Sequence, residues 1–286
     1  MSNIRTGEYN TLPIQDTAEF GLFLGWDDDR VLLPKRYMPS MFELGQELRV
    51  FVYRDSEDRR VATTQTPHGC VGEFASVEIV DLTPHGAFAG WGLDKDLFIP
   101  FAQQRAALRI GDRHIVYISL HERTDRVIGS TDVGRYFDYD IEPIRVGTEV
   151  SLLVFGRNEV GSQVVVDNRY RGIVYHNEAF TSLKTGESLT GYVKALREDD
   201  RLDISLRRIG HDATLDAKDL ILRALSEAGG RLSLHDKSPP EEIRSALGMS
   251  KKLFKRALGG LYRDRRVTLQ GDGIELVSTT SDPQSE

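Results

Sequence analysis

Seven cations crowd residues 250–266, where Lys251, Lys252, Lys255, Arg256, Arg263, Arg265 and Arg266 face the single acid Asp264. At helical spacing Lys251, Lys252, Lys255 and Arg256 share one polar side, which either neutralises a phosphate backbone or merely keeps a helix solvated. A second set of cations recurs at a fixed interval: Arg60, Arg126 and Arg201 each stand 15 residues after a glycine (Gly45, Gly111, Gly186). These arginines either contact phosphate or solvate the start of a strand. Aromatics recur too, in Phe23-Leu24-Gly25-Trp26 and Phe88-Ala89-Gly90-Trp91. In a strand Phe23 points away from Leu22 and Leu24, and Phe88 away from Ala87 and Ala89, so core-facing aliphatics leave both rings outside. An outward ring either stacks an unpaired base or packs against a neighbouring module. Tyr170, Arg171 and Tyr175 interleave with Arg157, Arg169, Lys184, Lys194, Arg197, Arg207 and Arg208, making this stretch the first choice for such contacts.

Catalytic chemistry has no comparable foothold. The segment Gly156-Arg157-Asn158-Glu159-Val160-Gly161-Ser162 lacks the lysine of a phosphate loop, and Gly90-Trp91-Gly92 leads to Lys95 where a dinucleotide fingerprint needs glycine. The 7 histidines show no metal-ligand spacing, and the lone Cys70 has no partner for a disulfide or zinc. Asp27-Asp28-Asp29 and Asp94-Lys95-Asp96 read as solvated turns, and Asp138-Tyr139-Asp140 as a linker. The expectation is a protein that is not an enzyme, with no cofactor and no metal.

The elements that position these residues follow from an internal repeat, the first feature to seek in a chain of this length. Pro34, Pro100 and Tyr175 lie 11 residues before the three glycines, and Gly21, Gly86 and Gly161 lie 24 or 25 before them. Apolar runs over 48–53, 115–120 and 189–196 predict strands, each followed after a polar turn by a returning strand over 60–64, 126–130 and 201–206. Five short strands in about 65 residues suit a small barrel that closes on itself and so has no exposed edge.

Beyond Arg208 the period changes. A helix over 216–228 places Leu220, Ile221, Ala224, Leu225 and Ala228 on one face and stops at Gly229-Gly230. A strand over 231–234 leads to a second helix capped by Ser238 and running through Leu247. Ser250 caps a third helix with Leu253, Phe254, Ala257, Leu258 and Leu261 as its apolar stripe. A hairpin turns at Gln270-Gly271-Asp272-Gly273. Helix, strand, two helices and a hairpin is the order of a winged helix.

The barrel pattern resembles the S1 RNA-binding domain, a five-stranded OB-fold. Phe20-Gly21-Leu22-Phe23 and His85-Gly86-Ala87-Phe88 match its aromatic-glycine strand, while Val160-Gly161-Ser162-Gln163 lacks the aromatics. Pro34 and Pro100 stand where that family has histidine, and Tyr175 takes the place in the third copy. Three such barrels and a winged helix resemble the conserved virulence factor B family, an S1-domain RNA-binding group. The implied fold is mainly β: three tandem OB-fold barrels (1–66, 67–134, 145–210), then an α+β winged helix (213–277) and a disordered tail (278–286).

The formal net charge of the 286-residue chain is −7, which argues against a uniformly basic nucleic-acid sleeve. The average hides an asymmetry, since 1–66 and 67–134 each carry −3 and the stretch 250–266 carries +6. No apolar run reaches membrane-span length and the amino end has no signal-peptide pattern, so a cytoplasmic monomer is expected. The function these features favour is regulation of gene expression by binding single-stranded RNA. Two alternatives stay open: a reader of duplex DNA through the winged helix, and a protein-interaction scaffold built on the acidic first barrels.

Overall fold

Each apolar stretch of the repeat becomes a strand with alternate residues pointing inward. The computed structural model describes residues 4–176, 183–208, 213–271 and 273–277. They fall into two compact units, one holding three barrels and the other the C-terminal helices and hairpin.

In the first barrel β1 (Tyr9–Ala18), β2 (Gly21–Trp26), β3 (Asp29–Pro34), β4 (Glu47–Arg54) and β5 (Arg60–Thr63) close in the order β1-β2-β3-β5-β4. The second repeats this with β6 (Phe74–Thr83), β7 (Gly86–Gly90), β8 (Leu97–Pro100), β9 (Arg113–Leu120) and β10 (Val127–Ser130). The third uses β11 (Glu149–Arg157), β12 (Gly161–Val166), β13 (Tyr170–Tyr175), β14 (Ser188–Leu196) and β15 (Leu202–Ser205). A parallel pair closes each ring: β3 with β5, β8 with β10, β13 with β15. Closure pairs the edge strands that would otherwise invite aggregation.

The recurring glycine has one structural cause. Gly45, Gly111 and Gly186 all adopt positive φ between 82° and 87°, and their N–H groups donate to the carbonyls of Ile14, Ile79 and Val154 at 2.8 Å. Each accepting residue borders a β-bulge in the first strand of its barrel. The spacing read from sequence therefore marks where the chain re-enters the barrel in a left-handed turn that a side chain would strain.

The barrels join through strands buried on both faces. In β4, Val50 and Val52 fill the first barrel, whereas Phe51 and Tyr53 point into a second core with Trp91, Leu93 and Val116. Phe51 meets Trp91 edge-on at 5.7 Å between centroids. Between the second and third barrels Phe74 stacks on Phe137 at 5.1 Å and Tyr117 on Tyr136 at 4.0 Å. The segment expected to be a linker is thus packed: Phe137 is buried, and Asp138 pairs with Arg169.

In the C-terminal unit, α1 (Ala213–Glu227), β16 (Arg231–Leu232), α2 (Pro240–Leu247), α3 (Lys251–Arg263), β17 (Val267–Gln270) and β18 (Gly273–Leu276) form a winged helix with sheet order β16-β18-β17. Ile221, Leu225, Ile243, Phe254, Leu258 and Leu261 build its core. Three local expectations need correction. Leu220 is 36% exposed and Ala228 lies on the surface beyond the end of α1, because the buried stripe runs through Ala217, Ile221 and Leu225. The N-cap of α2 is Pro239; Ser238 is buried and its Oγ accepts from His235 N–H instead. The strand predicted over 231–234 shortens to two residues. Ser250 does cap α3, accepting from Leu253 N–H. No helix among the described residues is long and apolar enough to cross a membrane, and the tail 278–286 lies outside the described residues.

Candidate nucleic-acid interface

Because Leu22 and Leu24 are fully buried in the first barrel, Phe23 between them turns outward and is half-buried. Phe20, 59% exposed, meets it edge-on at 6.1 Å, and the Arg30 guanidinium lies 4.5 Å above the Phe23 ring. This is a stacking platform with a cation already over it.

In the second barrel the same alternation places Phe88 outward between fully buried Ala87 and Ala89. Directly across the ladder from Phe88 is Phe98, with ring centroids 5.1 Å apart. The two rings line a cleft of about 480 Å³ with His85, Trp91, Lys95, Asp96 and Arg126 from their own barrel and Tyr53 and Arg54 from the first. Lys95 reaches across to donate to the carbonyls of Arg54 and Asp55 at 2.7 Å. Burial, and then the neighbouring Arg126, push its ammonium pKa down. The cleft joins an aromatic floor to cations, a combination that holds a base and its phosphate.

The third barrel has Gln163 where the others have phenylalanine. Arg171 donates to Gln163 Oε1 at 2.9 Å and shares a hollow of about 110 Å³ with Arg197 and Arg201. Burial first, and then Arg201, push the Arg171 pKa down. Like charges held this close favour an anion between them.

By the repeat, Arg30, Asp96 and Arg171 are equivalent, each standing 15 residues before the recurring glycine (Gly45, Gly111, Gly186). The second barrel thus carries an acid where its neighbours carry cations. Burial and Asp81 raise the pKa of that Asp96 carboxyl.

The recurring arginines all lie against carboxylates. Arg60 pairs with Asp29 at 2.9 Å, Arg126 with Asp58 at 2.8 Å across the barrel junction, and Arg201 with Asp199 at 3.6 Å. Arg126 joins an outward phenylalanine in one cleft, whereas Arg60 lines a separate hollow with Arg5 and Arg54. Tyr170 requires a correction: it is 4% exposed, with Arg169 over its ring, so it presents no face to a base. Tyr175 ends β13 half-buried.

On α3, Lys252, Lys255 and Arg256 are exposed, while Lys251 is half-buried and donates to the Lys237 carbonyl at 3.1 Å. Sequence reasoning missed Phe20, Arg30, His85, Lys95 and Phe98. The last was accessible from the repeat, since it stands opposite Phe88 in the barrel register. Tyr53 and Arg54 come from another barrel and left no local signal.

Residues 6–65 match the S1 domain family and residues 219–276 the CvfB-like winged helix domain. The chain is 28% identical over 278 residues to YitL of Bacillus subtilis, covering 93% of this chain and 91% of that protein. It is 25% identical over 242 residues to conserved virulence factor B of Staphylococcus epidermidis, covering 82% and 81% respectively. A crystal structure of a multidomain protein with nucleic acid binding domains from Streptococcus pneumoniae aligns over 95% of this chain and 98% of that one, at 23% identity and a TM-score of 0.45. In its S1 domain match, its CvfB-like winged helix match and its similarity along most of its length to these relatives, the chain resembles the conserved virulence factor B family.

Proposed function

We propose that this protein is a cytoplasmic, non-enzymatic regulator of gene expression that binds single-stranded RNA across its barrels, with the basic face of α3 adding affinity. The cleft of the second barrel carries this reading, because it sets Phe88 and Phe98 beside Lys95 and Arg126. Each base stacked on such a ring contributes about 1–3 kcal/mol. Weak sites on one chain reinforce each other, since a strand held at one barrel meets the next at high effective concentration. Occupancy of a transcript is the mechanism, altering its decay or translation. Photocrosslinking of 4-thiouridine RNA to the full chain tests the placement: adducts are expected on peptides containing Phe88 or Phe98, and adducts confined to other regions count against it.

A further inference from the structure

The exposed face of α3 contains a glycine that its own fold does not require. Two adjacent glycines, Gly259 and Gly260, lie inside the continuous helix, although glycine is the most costly helix-interior residue after proline. Gly260 has an internal explanation. A Cβ there would collide with Lys218 Cε, whose side chain crosses the position to pair with Asp264 at 2.7 Å. Gly259 has none, for a Cβ at that position meets nothing within 4 Å, and the residue is exposed.

Its helical neighbours suggest what does approach it. Residues three and four positions apart lie side by side on a helix, so Gly259 is flanked by Lys255 and Arg256 on one turn and by Tyr262 and Arg263 on the next. All four are exposed, Tyr262 at 56%. The result is a notch one side chain deep, floored by helix backbone, with cations on both sides. Its chemistry suits a chain of negative charge that must come close, and glycine is the residue used where another backbone approaches.

We infer that Gly259 is the point at which the sugar–phosphate backbone of bound RNA approaches α3, held by Lys255, Arg256 and Arg263. The inference rests on the RNA-binding reading above and adds the residue that sets the approach. The test measures binding of labelled oligouridylate and of duplex DNA to the full chain, alongside thermal unfolding, for Gly259→Ala, Gly259→Gln and the triple variant Lys252→Ala/Lys255→Ala/Arg256→Ala.

Gly259→Ala is expected to raise the unfolding temperature of the C-terminal unit by a few degrees, yet to weaken RNA binding by about 3- to 10-fold with an unchanged salt slope, because no charge is removed. Gly259→Gln should weaken it further. The triple variant should lose affinity and flatten the slope. If the triple variant loses RNA affinity but neither glycine variant does, the notch is refuted and the RNA-binding reading stands. If none of the three changes RNA affinity, the role of α3 in that reading falls as well. A glycine effect confined to duplex DNA overturns RNA as the occupant.

Discussion

Arg126 Nε donates to Asp58 Oδ1 at 2.8 Å across the junction between the first and second barrels. A recurring arginine of one barrel is thereby held by the turn of its neighbour, at the rim of the cleft that contains Phe88 and Phe98. The pair is about half exposed on both sides, so it adds little to stability. Its effect falls on ligand binding, because a phosphate must share Arg126 with Asp58. Asp58→Asn is expected to tighten RNA binding about 2- to 5-fold, as removal of one nearby competing charge does, with little change in unfolding temperature. Weaker binding would mean that Asp58 orients Arg126 rather than competing for it.

Acid loosens this contact only below the ordinary carboxylate range. The Arg126 hydrogen bond holds the Asp58 carboxyl below the usual carboxylate range. A carboxyl whose folded value is lowered stabilises the fold above its unfolded value, about pH 4, and loses that contribution as pH falls through the lowered value. Trp91, buried against Phe51, reports the junction. In a Trp26→Phe background its emission should stay constant from neutral pH down to about pH 4 and shift only below it in the parent, and Asp58→Asn should remove that acid-dependent component.

Two phenylalanines should separate stability from binding. Phe51 is fully buried in the junction core, and Phe51→Ala is expected to cost about 3–5 kcal/mol in chemical denaturation. Phe88 is half-buried and faces the cleft. Phe88→Ala should change stability by about 1 kcal/mol or less while reducing RNA affinity about 5- to 100-fold. An Phe88→Ala variant with full affinity would remove the stacking role of the second barrel.

Asp96 occupies the position that Arg30 and Arg171 hold in the flanking barrels. Its charge opposes phosphate in the cleft, so Asp96→Asn is expected to raise RNA affinity about 2- to 5-fold at neutral pH and low salt. Equal affinities for parent and variant would place the phosphates elsewhere.

The three barrels were legible because the repeat encodes a hydrogen bond: Gly45, Gly111 and Gly186 recur because each re-enters its barrel through the same positive-φ turn. The outward direction of Phe23 and Phe88 was legible for a similar reason, since the strand period fixes it once Leu22, Leu24, Ala87 and Ala89 fill the cores. The junctions were not legible. Val50-Phe51-Val52-Tyr53 reads as a plain apolar strand, yet its lack of alternation was the sign that both faces are buried. Tyr170 failed because its neighbours in sequence are cations, whereas its ring lies inside the barrel. The partners of Arg60 and Arg126, Asp29 at the start of β3 and Asp58 in a turn of the first barrel, lie far off in sequence, and spacing along one repeat carries no information about them; Arg201 has a local partner, Asp199, two residues before it.

Competition between single-stranded RNA and duplex DNA tests the central claim most directly. Labelled oligouridylate bound to the full chain is titrated with unlabelled RNA and with duplex DNA of equal length, at low and at high salt. The expected result is displacement by RNA at lower concentration than by DNA under both conditions, with affinity falling as salt rises. Stronger displacement by duplex DNA contradicts single-stranded RNA as the ligand and assigns the binding to the winged helix as a DNA reader.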